Sequence, residues 1–190
     1  MPLLIFIFAF SAAGQLIYSE DFNANNGGFF KSGNSTFDWG EPSGDTGPGS
    51  AHSAPKAWAT NLFGNYATSE SGFITSPLID LSAHVGDQFV LSWWEHLDTE
   101  PDFDFARVEA SINSGVAWHT IYGEFSGPIS TPGWQRRSAV LDASHAVSSF
   151  RFRFHLRSDD SENRAGYYVD DIALLVLPIS HIYAEDFESG

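Results

Sequence analysis

The sequence predicts an all-β protein, an antiparallel two-sheet jelly-roll β-sandwich, on three observations. Hydrophobic residues recur with a period of two, turn residues separate the apolar stretches, and no stretch carries a convincing amphipathic-helix pattern. Phe150, Phe152, Phe154 and Leu156 alternate with Arg151, Arg153, His155 and Arg157. That pattern describes one strand with an apolar face on the core and a polar face away from it. Phe89, Leu91 and Trp93 form a second inward row, with Val90, Ser92, Trp94 and His96 opposite. Arg107 to Ile112 reads as a third strand, closed by the turn Asn113-Ser114-Gly115. Trp118 to Tyr122, Ser138 to Leu141 and Tyr167 to Leu177 read as further strands. The stretch from Gly40 to Pro55, with Pro42, Gly44 and Gly47-Pro48-Gly49, reads as an irregular loop.

Composition limits the function classes. The chain has 190 residues, 43% hydrophobic and 15% aromatic, which is enough apolar material for one well-packed core. The 24 Asp and Glu against 9 Lys and Arg give a net charge of −15. Such a surface repels phosphate backbones and anionic headgroups, so nucleic acid is not an expected partner. The absence of cysteine excludes disulfides and thiolate zinc sites.

Leu3 to Phe10 is an unbroken apolar run followed by Ser11-Ala12-Ala13-Gly14. Residues 1–14 are therefore expected to be a signal peptide, although no Lys or Arg precedes the run. The run is too short to span a bilayer, so a secreted or cell-surface protein without membrane insertion is expected. Ile17-Tyr18-Ser19-Glu20-Asp21-Phe22 recurs as Ile182-Tyr183-Ala184-Glu185-Asp186-Phe187. The expected organisation is thus one domain over 15–178 and the start of a second, truncated repeat over 179–190.

Three stretches carry a resemblance: Phe37-Asp38-Trp39-Gly40-Glu41-Pro42, Gly47-Pro48-Gly49-Ser50-Ala51-His52-Ser53, and Trp58 to Tyr66. With Ser76-Pro77-Leu78-Ile79-Asp80-Leu81, Val108-Glu109-Ala110-Ser111 and Gly166 to Ile172, they resemble the MAM-like jelly roll that follows the catalytic domain of bacterial immune inhibitor A metallopeptidases. Asp104-Phe105-Ala106 departs from the Asp-Gly-Gly usual there, and the paired cysteines of animal MAM domains are missing. The resemblance implies a non-catalytic extracellular accessory module contacting glycan, protein or neighbouring domains of its own polypeptide. It leaves open an accessory domain of a secreted zinc metallopeptidase and a spacer repeat of an adhesin.

The resemblance also implies a structural Ca²⁺. In a jelly roll the first and last strands lie near each other, which brings Glu20 and Asp21 toward Asp170 and Asp171. Carboxylates and carbonyls are the hard donors that Ca²⁺ takes. Adjacent residues of a strand point to opposite faces, so at most one of Asp170 and Asp171 is expected to ligate through its side chain. A second acidic group, Glu95, Asp98, Glu100, Asp102 and Asp104, reads as a solvated loop rather than a cation site or a catalytic carboxylate pair. No His-Glu-x-x-His or Gly-x-Ser-x-Gly motif occurs. Trp94 with Arg153 or His155 is a candidate sugar platform, with packing inside the sandwich as the alternative role for these three residues.

Overall fold

The computed structural model describes residues 14–43, 46–128 and 133–177. The expected signal peptide, but for Gly14, and the expected second repeat lie outside the described residues.

Among the described residues eleven strands build two antiparallel sheets. They are β1 (Gln15–Glu20), β2 (Phe30–Asn34), β3 (Phe37–Gly40), β4 (Ala57–Thr60), β5 (Ser71–Thr75), β6 (Gln88–Asp98), β7 (Phe105–Ser111), β8 (His119–Phe125), β9 (Gln135–Leu141), β10 (Arg151–Arg157) and β11 (Gly166–Leu177). One sheet runs β3-β4-β11-β6-β9, with β1 also paired to β11, and the other runs β2-β5-β10-β7-β8. The jelly-roll sandwich expected from the alternation is the fold observed. Four strands escape the hydrophobic pattern because they are only four or five residues long: β2, β3, β4 and β5.

The core lies between the sheets. Phe150, Phe152, Phe154 and Leu156 are fully buried and meet Phe89, Leu91 and Trp93 from β6 and Tyr167, Val169 and Leu174 from β11. Many contacts are edge-to-face, as between Trp93 and Phe154, whose centroids lie 5.7 Å apart. That geometry sets a ring's positive edge on its neighbour's negative face.

A carboxylate sits inside this core. Glu95 is fully buried on the inner face of β6. Its Oε2 accepts from Trp93 Nε1 at 2.8 Å and from the Tyr167 hydroxyl at 3.0 Å, while Oε1 accepts from Arg137 Nε at 2.9 Å. Burial pushes the carboxyl above its ordinary range, and these three donors oppose that shift. Asp104 is fully buried too. It accepts the Tyr66 hydroxyl and, at 2.8 Å, the Asp159 N–H. The second acidic group is therefore not the solvated loop the sequence suggests, because its first and last members are core hydrogen-bond acceptors.

Gly166 opens β11 at φ 98°, where a Cβ would lie 2.0 Å from Thr60 Oγ1. Only glycine suits that position, and it lets the Tyr167 N–H donate to Thr60 Oγ1 at 2.8 Å. Among the described residues no helix is long and apolar enough to cross a membrane.

Replacing Glu95 by Ala strands Arg137 and two buried donors. It should lower unfolding stability by roughly 3 kcal/mol, read from urea denaturation, whereas Glu124→Ala on the surface should cost less than about 0.5 kcal/mol.

Candidate functional site

Two places on the sandwich hold candidate functional side chains, one at the edge of β11 and one on the outer face of β10.

β11 is bordered on one side by β6 along most of its length. On the other side it pairs with β4 through Tyr168 and Val169, and then with β1 from Ile172 to Val176. Asp170 and Asp171 fall in the gap between those two partners. The register against β6 slips between Asp170 and Ala173, and Asp171 takes a φ of 44°. A bulge re-aims side chains, so strand alternation does not hold here. Both carboxylates consequently reach the same loop, although only Asp171 also lines the cleft toward Glu20 and Asp21. Asp170 Oδ2 accepts the Ser53 N–H at 2.9 Å, and Asp171 Oδ1 accepts the Ser53 hydroxyl at 2.8 Å.

Glu20 and Asp21 stand across from them, and a cleft of about 450 Å³ is lined by Ser19, Glu20, Asp21, Asp171, Ile172 and Ala173. Glu20 Oε1 accepts the Phe22 N–H at 2.8 Å, and Asp21 Oδ1 accepts the Asn23 N–H at 3.0 Å. The Asp21 carbonyl is 3.4 Å from Ser53 Oγ. Asp170 is fully buried, and burial pushes its carboxyl up to about 7 against the two N–H donors that favour its charge. Glu20, Asp21 and Asp171 thus line one cleft, while Asp170 lies beside it on the Ser53 N–H, and no three of these four carboxylates bring their oxygens within 4.8 Å of one another. This set of carboxylate, hydroxyl and carbonyl oxygens is the donor chemistry that Ca²⁺ takes.

Trp94 does not join Arg153 and His155. It lies on β6, in the opposite sheet, with its ring stacked 3.8 Å from that of His52. His52 Nδ1 in turn lies 2.5 Å from Asp171 Oδ2. Trp94 therefore packs beside the aspartate site, and the three-residue platform expected from the sequence does not form.

Arg153 and His155 occupy a different aromatic array on the outer face of the five-stranded sheet. The inner face of β10 is committed to the core, so its alternate residues must point away from it. His155 stacks on Phe73, its cross-strand partner, at 4.1 Å. The Arg153 guanidinium lies 4.0 Å from the Phe73 ring centre and 4.2 Å from that of Trp118. A planar guanidinium between two rings gains both stacking and cation–π attraction. Arg153 Nε also donates to Glu109 Oε2 at 2.7 Å. His155, Phe73, Arg153 and Trp118 thus form one continuous stack.

Beside the stack runs a cleft of about 230 Å³, lined by Phe30, Ser32, Thr75, Ser114, Gly115, Trp118, Arg151 and Arg153. Phe30 is exposed at its rim. Gly115, at φ 93°, leaves room for the Trp118 ring, which a Cβ would approach to 3.2 Å. In the sequence Trp118 opens a strand and, with Gly115, completes the strand, turn, tryptophan unit of the resemblance, with no ligand role attached. Its place just after the Asn113-Ser114-Gly115 turn was the available signal.

Glu100, Asp104 and Asp159 form a third acidic group. Their oxygens already accept from Tyr66, Ser161 and the Asp159 and Ser161 N–H groups, so hydrogen bonds account for the arrangement.

No family model matches the chain. Over 159 residues it is 34% identical to a segment of Bacillopeptidase F from Bacillus subtilis (strain 168), covering 83% of this chain. The chain spans 10% of the length of that relative. Among solved structures it is similar to the CBM22-1–GH10 modules of a Clostridium thermocellum endo-1,4-β-D-xylanase complexed with xylohexaose. There the TM-score is 0.56 at 10% identity, over 88% of this chain and 30% of that one. It is also similar to the K2 cleaved adhesin domain of Lys-gingipain, with a TM-score of 0.53 at 16% identity over 83% of this chain and 96% of that one. The chain thus resembles a segment of a peptidase in sequence and shares a β-sandwich fold with a carbohydrate-binding xylanase module and an adhesin domain.

Burial, and then Arg107, Arg153 and Arg157, lower His155 from 6.5 to about 3. Between those values the unfolded chain binds a proton that the folded chain does not, so this group's contribution to stability is complete above 6.5 and is lost as pH falls. Wild type should lose stability relative to His155→Gln by up to about 1.4 kcal/mol per pH unit within that window. Urea titrations across the acidic range check it.

Proposed function

We propose that the chain is a non-catalytic, extracellular accessory module that binds carbohydrate on the outer face of its five-stranded sheet. The observation that carries this reading is the cleft beside Trp118, where an aromatic wall and the hydroxyls of Ser32, Thr75 and Ser114 line one depression. Sugars present an apolar ring face for stacking and a rim of hydroxyls for hydrogen bonds, and this lining offers both. The fold shared with part of the CBM22-1–GH10 modules of a xylanase, which together are complexed with xylohexaose, agrees with it. The similarity to a segment of Bacillopeptidase F favours a second role, in which the module serves a peptidase carried elsewhere on the same polypeptide. The MAM-like type belongs to this same proposal, on the strength of the Phe37 to Tyr66 motifs.

The proposal includes a structural Ca²⁺ held by Glu20, Asp21, Asp170 and Asp171, with Ser53 alongside. Supporting it are the cleft shared by Glu20, Asp21 and Asp171 beside the gap between β4 and β1, and the adjacent buried Asp170 carboxyl, which a cation would compensate. Bound only by the folded state, the ion would tie β1 and the Ser53 loop to β11.

Two measurements test the parts separately. In affinity electrophoresis through soluble polysaccharides, Trp118→Ala should abolish retardation while Trp94→Ala leaves it intact; no retardation of wild type by any glycan contradicts the binding role. In thermal unfolding, millimolar Ca²⁺ should raise the midpoint above that in EDTA by several degrees, and Asp171→Asn should remove the response. An unchanged midpoint removes the ion from the account.

A further inference from the structure

The electrostatics of the Trp118 cleft specify the ligand more narrowly. In a chain with 9 Lys and Arg and a net charge of −15, four of the nine, Arg107, Arg151, Arg153 and Arg157, lie on the outer face of β7 and β10. Their carboxylate partners are unevenly shared. Arg107 lies 3.4 Å from Glu109 and 3.3 Å from Glu124, and Arg153 is held by Glu109 at 2.7 Å. Arg151 forms no ion pair among the described residues.

Arg151 is half-buried in the cleft wall, and its guanidinium carbon lies 5.4 Å from the Phe30 ring centre. Its Nη1 donates to the Ser76 carbonyl at 2.5 Å. Its Nε is shut off from water and has no acceptor among the described residues. Among the described residues no Asp or Glu lines the cleft. An uncompensated cation therefore stands beside an aromatic wall and three hydroxyl side chains, on a molecule that is otherwise strongly anionic.

We infer that the cleft takes an acidic sugar, a uronate residue whose carboxylate pairs with Arg151 while its ring packs on Trp118 and its hydroxyls meet Ser32, Thr75 and Ser114. This rests on the carbohydrate-binding reading above and adds the charge class of the ligand. A neutral sugar would leave the Arg151 charge without a counter-ion. A carboxylate supplies that counter-charge, and hydrogen bonds between ions are about twice as strong as neutral ones. The local positive patch also draws an anionic chain to this face against the repulsion of the rest of the surface.

The experiment is calorimetric titration of the full chain with trigalacturonate, with its methyl ester, and with xylohexaose, at low and high salt. The ester keeps the sugar and removes the charge. Trigalacturonate should bind at least tenfold more tightly than its ester, with affinity falling as salt rises. Arg151→Gln should remove that preference, and Arg151→Lys should keep part of it. Thermal melts of both variants verify that they are folded. Equal binding of acid and ester, or binding of xylohexaose alone, overturns the acidic ligand while leaving the carbohydrate site intact if Trp118→Ala still abolishes it. Binding of none of the three overturns both readings together.

Discussion

The strict alternation of β10 is the constraint on which the rest of the molecule depends. Phe150, Phe152, Phe154 and Leu156 supply a continuous row of core side chains, and turning any of them outward would expose it to water. Because the period is two, that commitment fixes where Arg151, Arg153, His155 and Arg157 point. The core thus sets the register of the functional face. Phe73 opposes His155, and Glu109 opposes Arg153, for the same reason, since hydrogen-bonded neighbours across the sheet present matching faces. The stack of His155, Phe73, Arg153 and Trp118 is in that sense a by-product of packing four apolar side chains inward.

The other gathering place obeys a different rule. β11 is the longest strand and the one that three others share, so its edge must change partner part-way along. The change from β4 to β1 leaves two residues unpaired on that side, and both are aspartates. A bulge at a non-glycine residue, Asp171, turns them toward the Ser53 loop, where N–H, hydroxyl and imidazole groups meet them. The strain of a positive φ and the burial of Asp170 are both costs. They are borne at the one point where the first strand, the last strand and the long loop meet.

How much of this was legible in the sequence follows from how local each signal is. The inward faces of β6, β10 and β11 could be read directly, because alternation sustained over seven or more residues suits a half-buried strand and no helix. The pairing of the first strand with the last, which sets Glu20 opposite Ile172, followed from the topology of a jelly roll. The roles of Glu95 and Asp104 did not, because an acidic residue enters a core only with partners such as Arg137, Tyr66 and Tyr167, all distant in sequence. Trp94 and Trp118 look alike in composition, and only the pairing of β6 with β11 and β9 places Trp94 in the other sheet. The bulge at Asp171 has no sequence pattern of its own, so the alternation rule failed there.

The central claim is that ligand binds on the Trp118 side of the sandwich. Its most direct test is a nitrogen-edited NMR titration that follows the six tryptophan indole N–H signals as trigalacturonate is added. The account predicts a large, saturable shift of the Trp118 signal, with the buried Trp93 signal unmoved. Shifts confined to Trp94 and Trp134, beside His52 and the aspartates, would place the ligand on the opposite sheet and contradict it.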